Sequence, residues 1–442
     1  MDLAELSTAV DRGEIDTVLL ALTDMQGRLQ GKRFHARHFL DAIADHAAEA
    51  CNYLMAVDVE MATVDGYAMA SWDRGYGDFA MTPDLGTLRP VPWQEGTAMC
   101  LADLAWGDGS DVAASPRQVL RRQLTRLAER GWSANAGTEL EFQVFRTSYE
   151  DAWRSGYRDL DPANLYNVDY SLLGTARVEP LLRRIRNAMY AAGLQVEDSK
   201  GECNLGQHEI NFHYQEALRT CDEHVIYKNG AKEMAAQDGM SITFMAKYDQ
   251  REGNSCHIHL SLADGDGTNV FAHDDVLFDR FVAGLLASLR ELTLLLAPNV
   301  NSYKRFATGS FAPTAVAWGT DNRTCSLRVV GHGAGRRVEC RLGGADLNPY
   351  LAVSALIAGG LHGIDQELAL EAPCAGNAYV SDHPRVPSTL RDARDLFAAS
   401  ALARDAFGEE VVEHYLNNAR VELAAFEATV TDWERVRGFE RL

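Results

Sequence analysis

The sequence predicts an α+β fold. Strand-length apolar runs and helical patterns mix along the chain without a regular strand-helix-strand alternation. Several short segments read polar-apolar-polar with the period of two that a half-buried strand imposes. At 46% hydrophobic and 24% charged residues over 442 positions, the chain is globular and long enough to bury a large core without disulfide staples. Length alone allows two or three domains.

The first part runs to about residue 112. A short helical pattern opens it, and Asp16 to Leu22 is an apolar run of strand length. Asp24 to Gly31, with two glycines, reads as a turn between strands. Pro83 to Pro92 is rich in proline and is read as extended or looped. Trp106 to Ser115 has the glycines and serines of a linker, so the expected division is 1–112 and 113–442. Beyond it, Ser115 is placed to cap a helix, Pro116 suits its first turn and Gly131 its end. Val119, Leu120, Leu124 and Leu127 give that helix one apolar face. Further helices are predicted over Phe278–Leu296 and Asn348–Gly360, and the Asp392–Arg437 region is helix-rich by pattern.

Composition excludes several function classes. Lys and Arg number 42 against 63 Asp and Glu, a formal charge of -21, which argues against a sequence-independent nucleic-acid binder. It leaves ATP open, because a few local cations can hold phosphates. Eight scattered cysteines form no C-x-x-C pair and imply no disulfide framework. The acidic N-terminus lacks the basic start and apolar core of a signal peptide. The longest apolar stretch, Phe281 to Val300, is broken by Arg290 and Glu291, so no membrane span is expected and a reducing cytoplasm fits best.

The chemistry-bearing residues lie on strands. Glu139 and Glu141 point to one sheet face, with Leu140 and Phe142 on the other. His257, His259 and Ser261 repeat the pattern, as do Glu339 and Arg341. Glu202 and Glu209 lie seven apart among Gly201, Gly206 and Gln207. Alone, an E-x-E is commonly a solvated face, and lone arginines are commonly surface ion-pair partners. Gathered on one face, five carboxylates and one or two imidazoles make a hard-ligand set suited to Mg²⁺ or Mn²⁺ rather than structural zinc. Arg305, Arg323, Arg328, Arg336, Arg337 and Arg341 form a second, basic constellation, whose forks fit carboxylates and phosphates. Cations beside arginines imply an anionic substrate and phosphoryl chemistry. No Walker A motif occurs, Gly331 to Gly335 lacks dinucleotide-fold spacing, and no G-x-S-x-G elbow is present.

Taken together, the motifs resemble the glutamine synthetase family. They are Gly137–Phe142, Glu202–Glu209, Phe244–Lys247, His257–Leu262, Asn301–Arg305, Asn322–Arg328 and Arg337–Arg341, followed by Asn348-Pro349-Tyr350-Leu351, all in family order. The resemblance implies a small N-terminal β-grasp domain and a large catalytic domain with a curved antiparallel sheet. It further implies homo-oligomeric rings of six, stacked as a dodecamer. Each site would form between the N-terminal domain of one subunit and the catalytic domain of its neighbour. Carried over residue by residue, Glu141, Glu202 and Glu209 match the ligands of one metal ion. Glu139, His257 and Glu339 match those of a second, in a site holding two or three Mg²⁺ or Mn²⁺ ions. Arg305 and Arg341 match residues holding glutamate, and Arg323 and Arg328 those on the phosphates and the transferred phosphoryl group. Ser261 and Arg337 match nucleotide contacts, with His259 beside them. The implied reaction is ATP-dependent ligation of the glutamate γ-carboxylate to a nitrogen nucleophile through γ-glutamyl phosphate.

Departures from the family pattern bear on the nucleophile. The Asp-Gly-Ser-Ser motif, whose aspartate helps bind and deprotonate ammonium, is replaced by Asp65-Gly66-Tyr67-Ala68. Asp65 is the candidate proton acceptor. The flap glutamate before an Ala-Pro pair is replaced by Phe311. Exchanging a carboxylate for a ring removes a charge partner of ammonium and adds an apolar wall suited to an amine with carbon atoms. The long similarity, including Asp24–Phe34 and Ser71–Phe79, looks most like the γ-glutamylethanolamide synthetase branch, so ethanolamine is the expected amine. Polyamine, short alkylamine and ammonium ligases are the alternatives within the family, with roles in nitrogen metabolism. A metallohydrolase using the H-x-H pair leaves the arginines unexplained, and a purely structural family member leaves the intact site positions unexplained.

Overall fold

The computed structural model describes residues 1–442. Strands β1 (Thr17–Thr23), β2 (Leu29–His35), β3 (Ala48–Cys51), β4 (Asp78–Pro90) and β5 (Thr97–Ala105) form one sheet in the order β2-β1-β5-β4-β3. β1 and β5 pair in parallel, and the other pairs are antiparallel. The turn predicted from Asp24 joins β1 to β2: the Asp24 carboxylate accepts from the backbone of Gln26 and Arg28.

β1 is apolar throughout because it is buried on both faces. Val18, Leu20 and Leu22 join a core of 45 residues that reaches the C-terminal helices, while Leu19 and Ala21 join a core of 60 residues centred on the larger sheet. The proline-rich segment is strand as far as Pro90 and turns at Pro92. β3 pairs β4 only as far as Met81, so Pro83 and Pro90 lie where that side of β4 has no ladder to supply. A bulge between Asp84 and Arg89 absorbs the irregularity.

The second sheet has nine strands: β6 (Ser133–Phe145), β7 (Val196–Gly201), β8 (Gln207–Phe212), β9 (Gln215–Glu216), β10 (Ser241–Thr243), β11 (Cys256–Ala263), β12 (Trp318–Thr320), β13 (Leu327–Val330) and β14 (Arg337–Cys340). Seven follow the order β12-β13-β14-β11-β6-β8-β7, and β9 and β10 pair the two ends of β6. All pairs are antiparallel except β12 with β13. Leu140, Phe142, Ile258, Leu260, Val338 and Cys340 cover its inner face with apolar side chains.

The first predicted helix spans Pro116–Ala128, but Ser115 does not cap it with its hydroxyl; its carbonyl accepts from Val119 instead. The next two span Asp275–Leu296 and Pro349–Asp365, the latter capped by Asn348, whose side chain accepts from Tyr350. The C-terminal region holds four helices between Leu390 and Gly438. No helix is long and apolar enough to cross a membrane.

A buried ion cluster fastens the first sheet to three helices of the second part, Pro116–Ala128, Ala217–Gln237 and Pro349–Asp365. Arg117 meets both Asp222 oxygens at 2.9 Å, Asp103 at 2.6 Å and Asp84 at 2.7 Å, and Tyr350 donates to Asp222 at 2.7 Å. Asp84 and Asp103 belong to β4 and β5, whereas Asp222 sits on helix Ala217–Gln237. Arg117→Ala would leave the Asp222 carboxylate buried without its cation. The expected cost is about 3–5 kcal/mol, read as a lower midpoint in urea unfolding. An unchanged midpoint would mean the cluster contributes nothing net.

Candidate active site

The registers place the predicted residues on one face of the second sheet. Glu139 lies opposite His257, and Glu141 lies opposite Glu209. Glu339 lies opposite His259 on one side and Arg328 on the other. Directly opposed residues share a face, so the period-two spacing within each strand becomes a two-dimensional array of charge. Glu202 follows β7 and enters from the turn to β8. That turn needs Gly206, at φ 71°, where a Cβ would sit 2.4 Å from the Val144 carbonyl oxygen.

Two sets of three donors result. Atoms of Glu139, His257 and Glu339 lie within 4.8 Å of one another, as do those of Glu141, Glu202 and Glu209. His257 Nδ1 is 3.1 Å from Glu139 and 3.6 Å from Glu339, and its Nε2 is buried without a hydrogen-bond partner. Burial, followed by the Arg341 charge, holds His257 down at about 4, so the imidazole is neutral at pH 7 and a lone pair is available. His259 Nδ1 accepts from Arg337 at 3.1 Å, which leaves its Nε2–H to donate to Glu139 at 2.8 Å. The second set is dominated by like charge. Burial and then Glu202 push Glu141 up to about 8, and burial with Glu141 and Glu139 raises Glu209 well above the carboxylate range. An orphaned imidazole nitrogen and carboxylates that repel one another are the donors a divalent cation satisfies, so these residues fit the metal ions that the resemblance implies.

A pH dependence follows. A carboxyl group whose folded pKa is raised binds more protons folded than unfolded, so its stabilising contribution is lost as pH climbs through the window between the two values. In a chelator, the melting temperature is expected to fall between about pH 5 and the value near 8 reached by Glu141. Added Mg²⁺ should restore it most at the upper end. Calorimetry at both limits, with and without Mg²⁺, measures this, and a chelated protein more stable at the upper limit would contradict it.

Two cavities open on this face. The first, of about 510 Å³, is lined by Glu139, Glu141, Glu202, Glu209, His257, Phe311, Arg323, Arg328 and Arg341, together with Asp169, Tyr170 and Lys200. The second, of about 690 Å³, is lined by His259, Ser261, Arg336 and Arg337. Glu139, Asp198 and Asn211 border both. Arg328 donates to Glu339 at 2.9 Å and also pairs with Asp321. Phe311 is 58% exposed and held at φ 58°, a left-handed conformation uncommon for an aromatic residue and typical of functional loops.

Arg305 and Asp65 are placed differently. Arg305 is 1% exposed and lines neither cavity; its guanidinium donates to Ser255 Oγ at 3.1 Å and to the carbonyls of Leu342 and Gly343. It braces the strand end that carries Arg341. Asp65 also lines neither cavity of its own chain, and its carbonyl accepts from Asn417 and Arg420. A wider groove of about 1010 Å³ runs past Asp84 and Arg117, but it holds none of the predicted site residues. Lys200 and Asp169 are wall residues that sequence reasoning missed. Lys200 lies two positions before the Glu202–Glu209 motif, a spacing that puts it on the same strand face as Glu202, which was the available signal.

Such a double donor set between two cavities, ringed by arginines, defines the class. The chain belongs to the glutamine synthetase family: residues 113–437 match the family described as "Glutamine synthetase, catalytic domain". Ligases of this family use ATP and divalent metal ions. Among individual proteins, the chain is 66% identical to gamma-glutamylethanolamide synthetase GlnA4 of Streptomyces coelicolor, over 99% of this chain and 96% of that one. It is 38% identical to the glutamate–isopropylamine ligase of a Pseudomonas species, over 97% and 96%. A solved structure of a GmaS/ADP complex superimposes with a TM-score of 0.86 at 27% identity, covering 98% of this chain and 99% of that one.

Proposed function

We propose that the chain is an ATP-dependent ligase joining the γ-carboxylate of glutamate to a small primary amine, with ethanolamine the amine used best. The observation that carries this reading is the pair of cavities meeting at Glu139, one lined by His259, Ser261 and Arg337 and the other by arginines, carboxylates and Phe311. The 66% identity to a gamma-glutamylethanolamide synthetase supports the choice of amine.

The residues divide the work by position. Arg337, Ser261 and His259 hold the nucleotide in the second cavity. Arg341 orients glutamate in the first, with Arg305 bracing it from behind. Arg323 and Arg328 face the phosphates as the γ-carboxylate of glutamate attacks the γ-phosphorus of ATP, the bond from that phosphorus to the bridging oxygen breaks and ADP leaves. Two anions must meet for that step, and cationic groups fixed in place reduce their repulsion. Divalent ions, Mg²⁺ or Mn²⁺, bound by Glu141, Glu202 and Glu209 and by Glu139, His257 and Glu339 would supply further neutralisation of the reacting oxygens. The acyl phosphate so formed is prone to hydrolysis, and Phe311 covers it against water. A neutral amine then attacks the acyl carbon and phosphate leaves. Alkyl amines are largely protonated at neutral pH, so a base must first take a proton. Asp65 of a neighbouring subunit fills that role in a homo-oligomer of stacked six-membered rings, in which the site of each 113–442 domain is completed by the 1–112 domain of the next chain.

The test is a product assay by mass spectrometry with glutamate, ATP and equal concentrations of ammonium, ethanolamine, methylamine, isopropylamine, putrescine and spermine. γ-Glutamylethanolamide is expected to dominate. Dominant glutamine would overturn the reading, and a dominant γ-glutamylalkylamine or γ-glutamylpolyamine would replace ethanolamine. Phe311→Glu is expected to lower ethanolamine use and raise glutamine formation in the same assay, because it restores a charge partner for ammonium and removes the apolar wall. A variant with the product distribution unchanged would show that Phe311 does not select the amine.

A further inference from the structure

One cation inside the first cavity has no part in the scheme above. Lys200 sits on β7 directly across from Glu209, so its side chain is on the face that carries the carboxylates. Its ammonium donates to Glu202 and lies 4.8 Å from the centre of the Tyr170 ring. The side chain is only 23% exposed. The group thus stands against the Glu141, Glu202 and Glu209 set, whose oxygens converge within 4.8 Å. Three carboxylates that close repel one another strongly in a partly buried site, and a single fixed ammonium offsets part of that repulsion. A lysine ammonium and a divalent ion cannot both be tightly held by the same oxygens.

We propose that Lys200 is a placeholder cation: it neutralises the Glu141–Glu202–Glu209 set when no divalent ion does, and metal binding there is an exchange in which the ammonium is displaced. The consequence is a site that keeps its shape without metal and binds metal more weakly than its three carboxylates alone would. This rests on reading those carboxylates as a metal set, and is independent of which amine is used.

Mn²⁺ titration of the chelated full-length protein, by calorimetry and water-proton relaxation without nucleotide, tests it. Lys200→Met is expected to bind one Mn²⁺ roughly tenfold more tightly than the unmodified protein, since one repelling charge is gone. Its melting temperature should fall in chelator and recover in saturating Mn²⁺. Lys200→Arg, which keeps the charge, should behave as the unmodified protein does. Equal or weaker Mn²⁺ binding by Lys200→Met, or a Lys200→Arg protein that behaves like it, would overturn the proposal. If Glu209→Gln loses no Mn²⁺ site, the metal reading of the set fails and takes the proposal with it. A measurement on the unmodified chain guards against variants that do not fold. Acetylation of Lys200, followed by peptide mass spectrometry, should be slow in chelator and faster in Mn²⁺, because displacement frees the ammonium. A rate that Mn²⁺ leaves unchanged or slows would also overturn it.

Discussion

Arg341→Ala is expected to abolish product formation with every amine offered, by about a thousandfold or more. Arg341 lines the first cavity and donates to Glu339, the fully buried carboxylate of one donor set, so its removal strikes twice. On the proposed reading glutamate loses the guanidinium fork that orients it, and Glu339 keeps only Arg328 as a cationic partner among the arginines. Activation of glutamate precedes the choice of amine, so the loss must be uniform across amines. ADP release measured with glutamate and each amine in turn checks this. A variant that lost one amine and kept the others would place Arg341 at the amine rather than at glutamate.

His257→Ala is expected to lower turnover by at least about a hundredfold while the protein stays folded. Its Nε2 has no partner within the chain, and its neutral ring is a ready donor. Deleting it leaves Glu139 and Glu339 without the third member of their set. Metal stoichiometry should fall by one ion per chain, with circular dichroism unchanged. Normal turnover by a folded His257→Ala protein would remove His257 from the metal reading.

The site was legible where chemistry follows local spacing. E-x-E and H-x-H announce one face of a strand, and both lie on strands with apolar partners beneath. What sequence could not supply was register. Nothing local says that Glu141 opposes Glu209 or that Lys200 opposes Glu209, because both pairings join strands far apart in sequence or fixed by a turn. The orientation of Arg305 was hidden for the same reason: its partners are carbonyls some 37 residues away. The fold class and the long helices were readable from periodicity. Pro83–Pro90 was ambiguous because proline marks loops and open strand edges equally, and only the length of β3 decides between them.

The two-faced burial of β1 also bears on how the chain reaches its native state. Leu20 is among the earliest core residues synthesised, yet its core includes Leu423, and Leu19 on the opposite face packs into a core that extends to Val386. A strand with two apolar faces meets its nearer partners early, Leu6 and Phe39 on one face and Trp93 and Leu120 on the other, but completes neither layer until nearly the whole polypeptide has been made. During synthesis the first sheet therefore keeps part of its apolar surface exposed, a condition that favours chaperone capture and makes late-stage closure the expected slow event in refolding.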